Sequence, residues 1–141
     1  MAYTSSAAIV RALVQKIRAD SALRASLKGG IHEGFSPEPV LTLPMAIYVP
    51  VTASYESTWT SRAIVALFDV TIYSRSQVEA SNLDQSMLEQ LDGAALTPDG
   101  QTSLICRRVN DLRSTDVDEE GQKVYGVGGS YEIWTSQNAS S

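Results

Sequence analysis

The chain has 141 residues, 43% hydrophobic and 19% charged, with eleven lysines and arginines against sixteen aspartates and glutamates. That length and balance suit one globular domain with a sizeable core and no need of a disulfide or metal staple. The net charge of −5 argues against a surface built to neutralise nucleic-acid phosphates, and the single cysteine, Cys106, excludes an internal disulfide. No run approaches the ~18 apolar residues of a membrane span, and no secretory pattern opens the chain, so folding in the cytosol is expected.

Residues 1–5 and 136–141 are small and polar and are expected to be loosely held. Ser5 and Ser6 offer caps for a first helix, in which Ile9, Val10, Leu13, Val14 and Ile17 recur at three and four while Arg11, Gln15, Lys16 and Arg18 lie opposite. Asp20 restarts a shorter helical piece through Leu23 and Leu27, and Gly29-Gly30 ends it. Ile31 to Phe35 reads as a short extended piece. Pro37, Pro39 and Pro44 keep the following stretch out of any helix. Met45 to Val51 alternates as a strand, and Pro50, which lacks an amide, is expected at an end, an edge or a bulge.

Thr52 to Ser61 is rich in threonine, serine and aromatics and has neither glycine nor proline, which suggests a hairpin arm extending past the sheet. Tyr55 and Trp59 on that arm have two readings: anchors for another chain, or side chains folded back onto their own core. From Arg62 to Ser74 the chain reads as a central strand. Ile64, Ala66, Phe68, Val70 and Ile72 make one wholly apolar face, and Val65, Leu67, Asp69, Thr71 and Tyr73 make a mixed one.

Ser76-x-x-Glu79 then caps a helix with Ala80, Leu83, Met87, Leu88 and Leu91 as its buried stripe and Glu79, Asp84, Gln85 and Glu89 left to water; Asp92-Gly93 ends it. Thr97-Pro98-Asp99-Gly100 has turn chemistry. Ser103 to Arg113 is a basic strand without clean alternation, and Asp116 to Gly121 is an acidic loop. In the last strand, Val124 to Thr135, Tyr125, Val127, Tyr131 and Ile133 oppose Gly126, Gly128 and Ser130. Gly128-Gly129 there implies a bulge or a close backbone approach. The expected fold class is α+β: a single domain over residues 1–141 with a mixed, mostly antiparallel sheet. The order is helix, strand, strand, helix, strand, strand, with two helices on one face and a projecting hairpin arm.

Candidate chemistry is sparse. His32 is the only histidine, and no metal pair, nucleophile elbow or cofactor motif is present, so no catalytic residue, metal ligand or cofactor is assigned. A His32–Cys106 dyad would draw on two separate segments. Gly126 to Gly129 leads no helix and has no lysine after it, unlike a phosphate loop. Asp116, Asp118, Glu119 and Glu120 lack the full calcium-loop pattern. They read as a solvated loop, a repulsive lining, or a salt-bridge partner for a neighbouring subunit.

Taken in order, the features resemble the tail-terminator or tail-completion proteins of long-tailed bacteriophages. They are a helix ending in Asp20-x-x-Leu23, Gly29-Gly30-Ile31, a Pro-rich stretch before Pro44 to Val49, a polar arm, Phe68 to Ser74, a helix closing through Leu88 to Leu96, then an arginine-bearing strand, acidic turn and aromatic strand. The resemblance implies a structural, non-enzymatic virion subunit that forms a ring, usually of six, on the last ring of the tail tube. Such a ring stops tube polymerisation and offers a face to the head connector protein, at the head-proximal end of the tail. DNA would pass through without specific binding, and no membrane is involved. Tyr55, Glu56, Trp59 and Arg62 are then the interface candidates, with the mixed sheet face as the second patch. Asp116, Asp118, Glu119 and Glu120 are the channel-lining candidates. Two other functions fit the same pattern: a head–tail connector or stopper, and a small ligand-binding or hydrolytic α+β domain, which would show a pocket with converging polar groups.

Overall fold

The computed structural model describes residues 6–34, 42–57, 61–96 and 104–138. Their elements, in chain order, are α1 (Ser6–Ala19), α2 (Ser21–Ser26), β1 (Ile31–Glu33), β2 (Met45–Ser57), β3 (Ser61–Ser74), α3 (Gln77–Leu91), β4 (Ala95–Leu96), β5 (Leu104–Val117) and β6 (Lys123–Asn138). The six strands form one sheet in the order β1-β2-β3-β6-β5-β4, antiparallel throughout except for the parallel β1–β2 pair. This is a mixed α+β single domain of the expected kind.

The alternation in β3 decides which way the sheet faces. Ala66, Phe68, Val70 and Ile72 are all buried, and their partners across the β6 register, Ile133, Tyr131, Gly129 and Val127, share that face. Against it pack Ile9, Leu13 and Ile17 from α1, Leu23 and Leu27 from the α2 segment, and Ala80, Met87 and Leu91 from α3, in one continuous core. All three helices therefore lie on one side, as the period of three and four in α1 and α3 requires.

Local chemistry sets the helix ends. Asp20 stays extended (φ −81°, ψ 102°), and its Oδ1 accepts hydrogen bonds from the amides of Ala22 and Leu23, both at 3.1 Å, which starts α2. Gly30 leaves the helix at φ 82°, a backbone conformation costly for any residue with a Cβ. At α3, Ser76 Oγ accepts from the Glu79 amide at 3.3 Å. The Glu79 carboxylate accepts from Ser74 Oγ at 2.6 Å, and Ser74 Oγ in turn accepts from the Ser76 amide at 3.1 Å. The reciprocal half of the expected capping box is thus relayed through Ser74, which lets β3 pass into α3 almost without a loop.

One strand differs from the sequence reading. The basic strand runs on to Val117, four residues past Arg113, and its alternation is broken by an irregularity between Arg108 and Asn110 that leaves Val109 unpaired. A matching shift between Pro50 and Thr52 in β2 places the proline at a bulge, as its missing amide demands. Asp84, read as solvent-facing, is buried. Its place in the helix is where Arg108 reaches up from β5, and the arginine replaces water as its partner.

Candidate functional site

The face of the sheet opposite the helices is one candidate surface. Register places Ile105, Trp134 and Val65 in one row across β5, β6 and β3, with Leu67 and Glu132 in the next, and Val49 beside Asp69 on β2. Ile105, Trp134 and Val49 are exposed, at 49%, 37% and 40%. Farther along, Ser130 Oγ donates to Asp69 Oδ1 at 2.7 Å, which settles the one carboxylate of β3. This face is apolar at the end nearer the hairpin and polar at the other. It is the mixed face expected of a sheet with helices on one side only.

The hairpin arm is formed by β2 and β3, paired from Met45↔Tyr73 out to Ser57↔Arg62, and β6 accompanies β3 out to Asn138↔Ser61. Because β5 begins opposite Thr135, these three strands run past the end of β5. Of the interface candidates, Tyr55, Glu56 and Arg62 lie in this paired backbone. Trp59 is outside the described residues, as are the side-chain positions of the other three.

The acidic candidates divide. Asp116, Glu119 and Glu120 are exposed. Asp118 turns back on its own loop: its Oδ1 accepts from the amides of Gln122 (2.9 Å) and Glu120 (3.0 Å), and its Oδ2 meets Arg75 Nη1 at 2.5 Å. The Gln122 amide, the Arg75 guanidinium and the Glu120 amide hold its pKa below the usual carboxylate range, against a smaller opposing effect of desolvation. The turn is therefore braced at Asp118 while its three neighbours stay free.

A buried network that the sequence did not reveal joins α3 to the sheet. Arg108 Nη1 and Nη2 donate to Asp84 Oδ1 and Oδ2, Nη2 also donates to the Gly128 carbonyl, and the guanidinium lies 5.7 Å from the centroid of the Tyr131 ring. Nε lies 3.1 Å from Asp111 Oδ1 but is not aligned for a hydrogen bond. Burial alone would lower the arginine pKa. The hydrogen bond and charge of Asp84, with Tyr131 and Asp111, outweigh this and raise it, so the guanidinium stays charged. A shallow groove of about 240 Å³ opens beside the pair, lined by Ser81, Asp84, Gln85, Arg108 and Asp111. Asp84 and Arg108 there are already spent on one another, and Arg113 also lines the groove. Gly129 makes room for the network, since a Cβ there would run into the Arg108 guanidinium. The run from Gly126 to Gly129 is thus the close backbone approach expected of a glycine-rich strand.

His32 and Cys106 do not meet. His32 is on β1 and Cys106 on β5, four strands apart, roughly 19 Å at the usual spacing. His32 Nε2 lies 2.6 Å from the Gly29 carbonyl, closing the turn after α2. Burial, aided by Asp92, pushes the Cys106 thiol up to about 12, far from a nucleophile at neutral pH.

Comparison with known proteins agrees with this geometry. A chain of the virion of the native gene transfer agent particle shares the fold with a TM-score of 0.75 at 16% identity, over 96% of this chain and 100% of that one. A second solved chain does so at 0.59 and 12%, over 96% and 97%. No curated protein sequence matches. The family described as tail completion protein gp17 matches residues 11–136, from within α1 almost to the end of β6. The chain belongs to the tail completion protein gp17 family, a family of structural phage tail proteins.

Proposed function

We propose that copies of this chain form a ring, six by resemblance, on the last ring of the tail tube at the head-proximal end. The ring stops tube polymerisation, presents a face to the head connector protein and lets DNA through without gripping it. The family match over residues 11–136 carries this reading. The uncovered sheet face supports it: Ile105 and Trp134 in adjacent strands remain in solvent, and such a patch favours a protein neighbour. A closed ring needs two different complementary patches on each copy. The hairpin arm with Tyr55, Glu56, Trp59 and Arg62 is assigned to one contact and the sheet face to another.

Tails assembled without this chain are expected to carry tubes of scattered length that fail to join heads. Added purified protein should restore a uniform length, with a ring visible by electron microscopy at the head-proximal end. Uniform tubes that join heads without the chain would refute the proposal. Replacing Tyr55 and Trp59 by alanine should weaken ring formation and leave the circular dichroism spectrum unchanged.

A further inference from the structure

Within that ring, we propose that neighbouring copies are held by a charge clasp. Arg18, Arg24 and Lys28, on the β1 side of one copy, face Asp116, Glu119 and Glu120 at the β5–β6 turn of the next. The proposal rests on the ring reading and adds to it which surfaces meet.

Charge is segregated along the chain. Residues 6–34 hold five basic and two acidic side chains, Asp20 and Glu33, a net of +3. Residues 111–122 hold one basic and five acidic, a net of −4. All six clasp residues are exposed.

The fold puts Lys28, at the end of the basic group, near the level of the acidic turn and on the opposite edge. The end of the α2 segment is tied to the start of β2, with the Gly29 amide donating to the Pro44 carbonyl at 2.9 Å and the Ala46 amide to the Gly30 carbonyl at 3.0 Å. Across the sheet, Met45 pairs with Tyr73, Tyr73 with Gly126 and Gly126 with Ser114. Asp116 follows two residues later in the same strand. The row from β2 to β5 spans three strand spacings, roughly 14 Å, which exceeds the screening length of about 8 Å at physiological salt. The groups therefore do not neutralise each other within one copy. Two unlike patches on opposite edges are what head-to-tail closure uses.

Strand-to-strand pairing is the rival mode, and the edges oppose it. Beyond Tyr48 the open edge of β2 carries Pro50 and a bulge. Beyond Ile105 the open edge of β5 carries a bulge at Val109 and four charged residues before Ser114. Such features blunt an edge against pairing. The turn, in contrast, is braced by Asp118 and by Gly121 at φ 80°, so it offers its three free carboxylates in a fixed array. The clasp assigns these carboxylates to the contact between copies and not to the channel wall.

The test uses full-length chains with Asp118 untouched. One variant carries Arg18→Glu, Arg24→Glu and Lys28→Glu; a second carries Asp116→Lys, Glu119→Lys and Glu120→Lys; a third carries all six. Native mass spectrometry and electron microscopy of tube ends read ring occupancy, with circular dichroism as the check on folding. Each triple variant should lose about tenfold or more in occupancy, and the six-fold variant should recover it. Parent rings should also loosen between roughly 0.05 M and 0.5 M salt, a measurement that needs no variant. Full occupancy in either triple variant, no recovery in the folded six-fold variant, or salt-indifferent parent rings would each overturn the clasp. A parent chain that never caps tubes would instead overturn the ring reading beneath it.

Discussion

Arg108 and Asp84 meet through two parallel hydrogen bonds, 3.0 Å from Nη1 to Oδ1 and 2.8 Å from Nη2 to Oδ2, with their side chains only 9% and 11% exposed. The pair locks α3 onto the bulge of β5. Removing Asp84 leaves the Arg108 guanidinium buried without its two-point carboxylate partner, so Asp84→Ala should cost on the order of 3–5 kcal/mol in urea denaturation. Replacing both, Asp84→Leu with Arg108→Met, should recover most of that loss, because two apolar side chains of similar volume have no charge to desolvate.

Glycine substitutions should separate packing from backbone strain. A Cβ on Gly128 would run into the backbone carbonyl of Val70 on the neighbouring central strand, where nothing can step aside. Gly128→Ala is expected to cost about 3 kcal/mol or more. Gly93→Ala meets nothing within 4 Å, and its φ of 76° alone opposes the change. Its cost should be about 1–2 kcal/mol. Thermal melts of the two variants should differ in that order.

Asp118 makes stability depend on acid. Its carboxyl is held below the ordinary value in the folded chain by the Gln122 amide first, and then by Arg75 and the Glu120 amide. A depressed folded-state pKa contributes stability that is present above the unfolded value, about 3.9, and is lost as pH falls through the folded value. Asp118→Asn should therefore destabilise the protein at pH 7 more than near pH 2, and Arg75→Gln should show the same trend more weakly. Denaturation midpoints at the two pH values check the sign.

Cys106 should resist thiol reagents. It is fully buried on the core side of β5, with its pKa pushed up to about 12. Native protein at pH 8 is expected to react with a disulfide reagent only at the rate of unfolding, whereas denaturant should expose one thiol per chain at once.

Much of this fold is legible in the sequence because its determinants are local. The alternation from Ala66 to Ile72 gives the core face of β3, and Asp20 and Ser76 mark helix starts through bonds to amides two or three residues away. Arg108 and Asp84 escape that reading because their pairing spans 24 residues, and because the shift at Val109 breaks the alternation that would otherwise show Leu104, Cys106 and Arg108 on one face. On pattern alone Asp84 belongs to the polar side of α3. Asp118 hides for a related reason, since four carboxylates in five residues look alike until the turn selects one to brace it. A signal was available in the glycines: three in four residues beside an arginine-rich strand imply that something large needs space.

The strand at the middle of the sheet is also the last of the six along the chain. β6 lies between β3 and β5 and pairs with both over nearly their whole lengths. Until it is made, the β2–β3 hairpin and β5 have no strand to join them, and Phe68 and Val70 lack their cross-strand neighbours Tyr131 and Gly129. A chain stopped before Lys123 therefore has no finished sheet, and the two parts of the subunit are joined only when β6 is made.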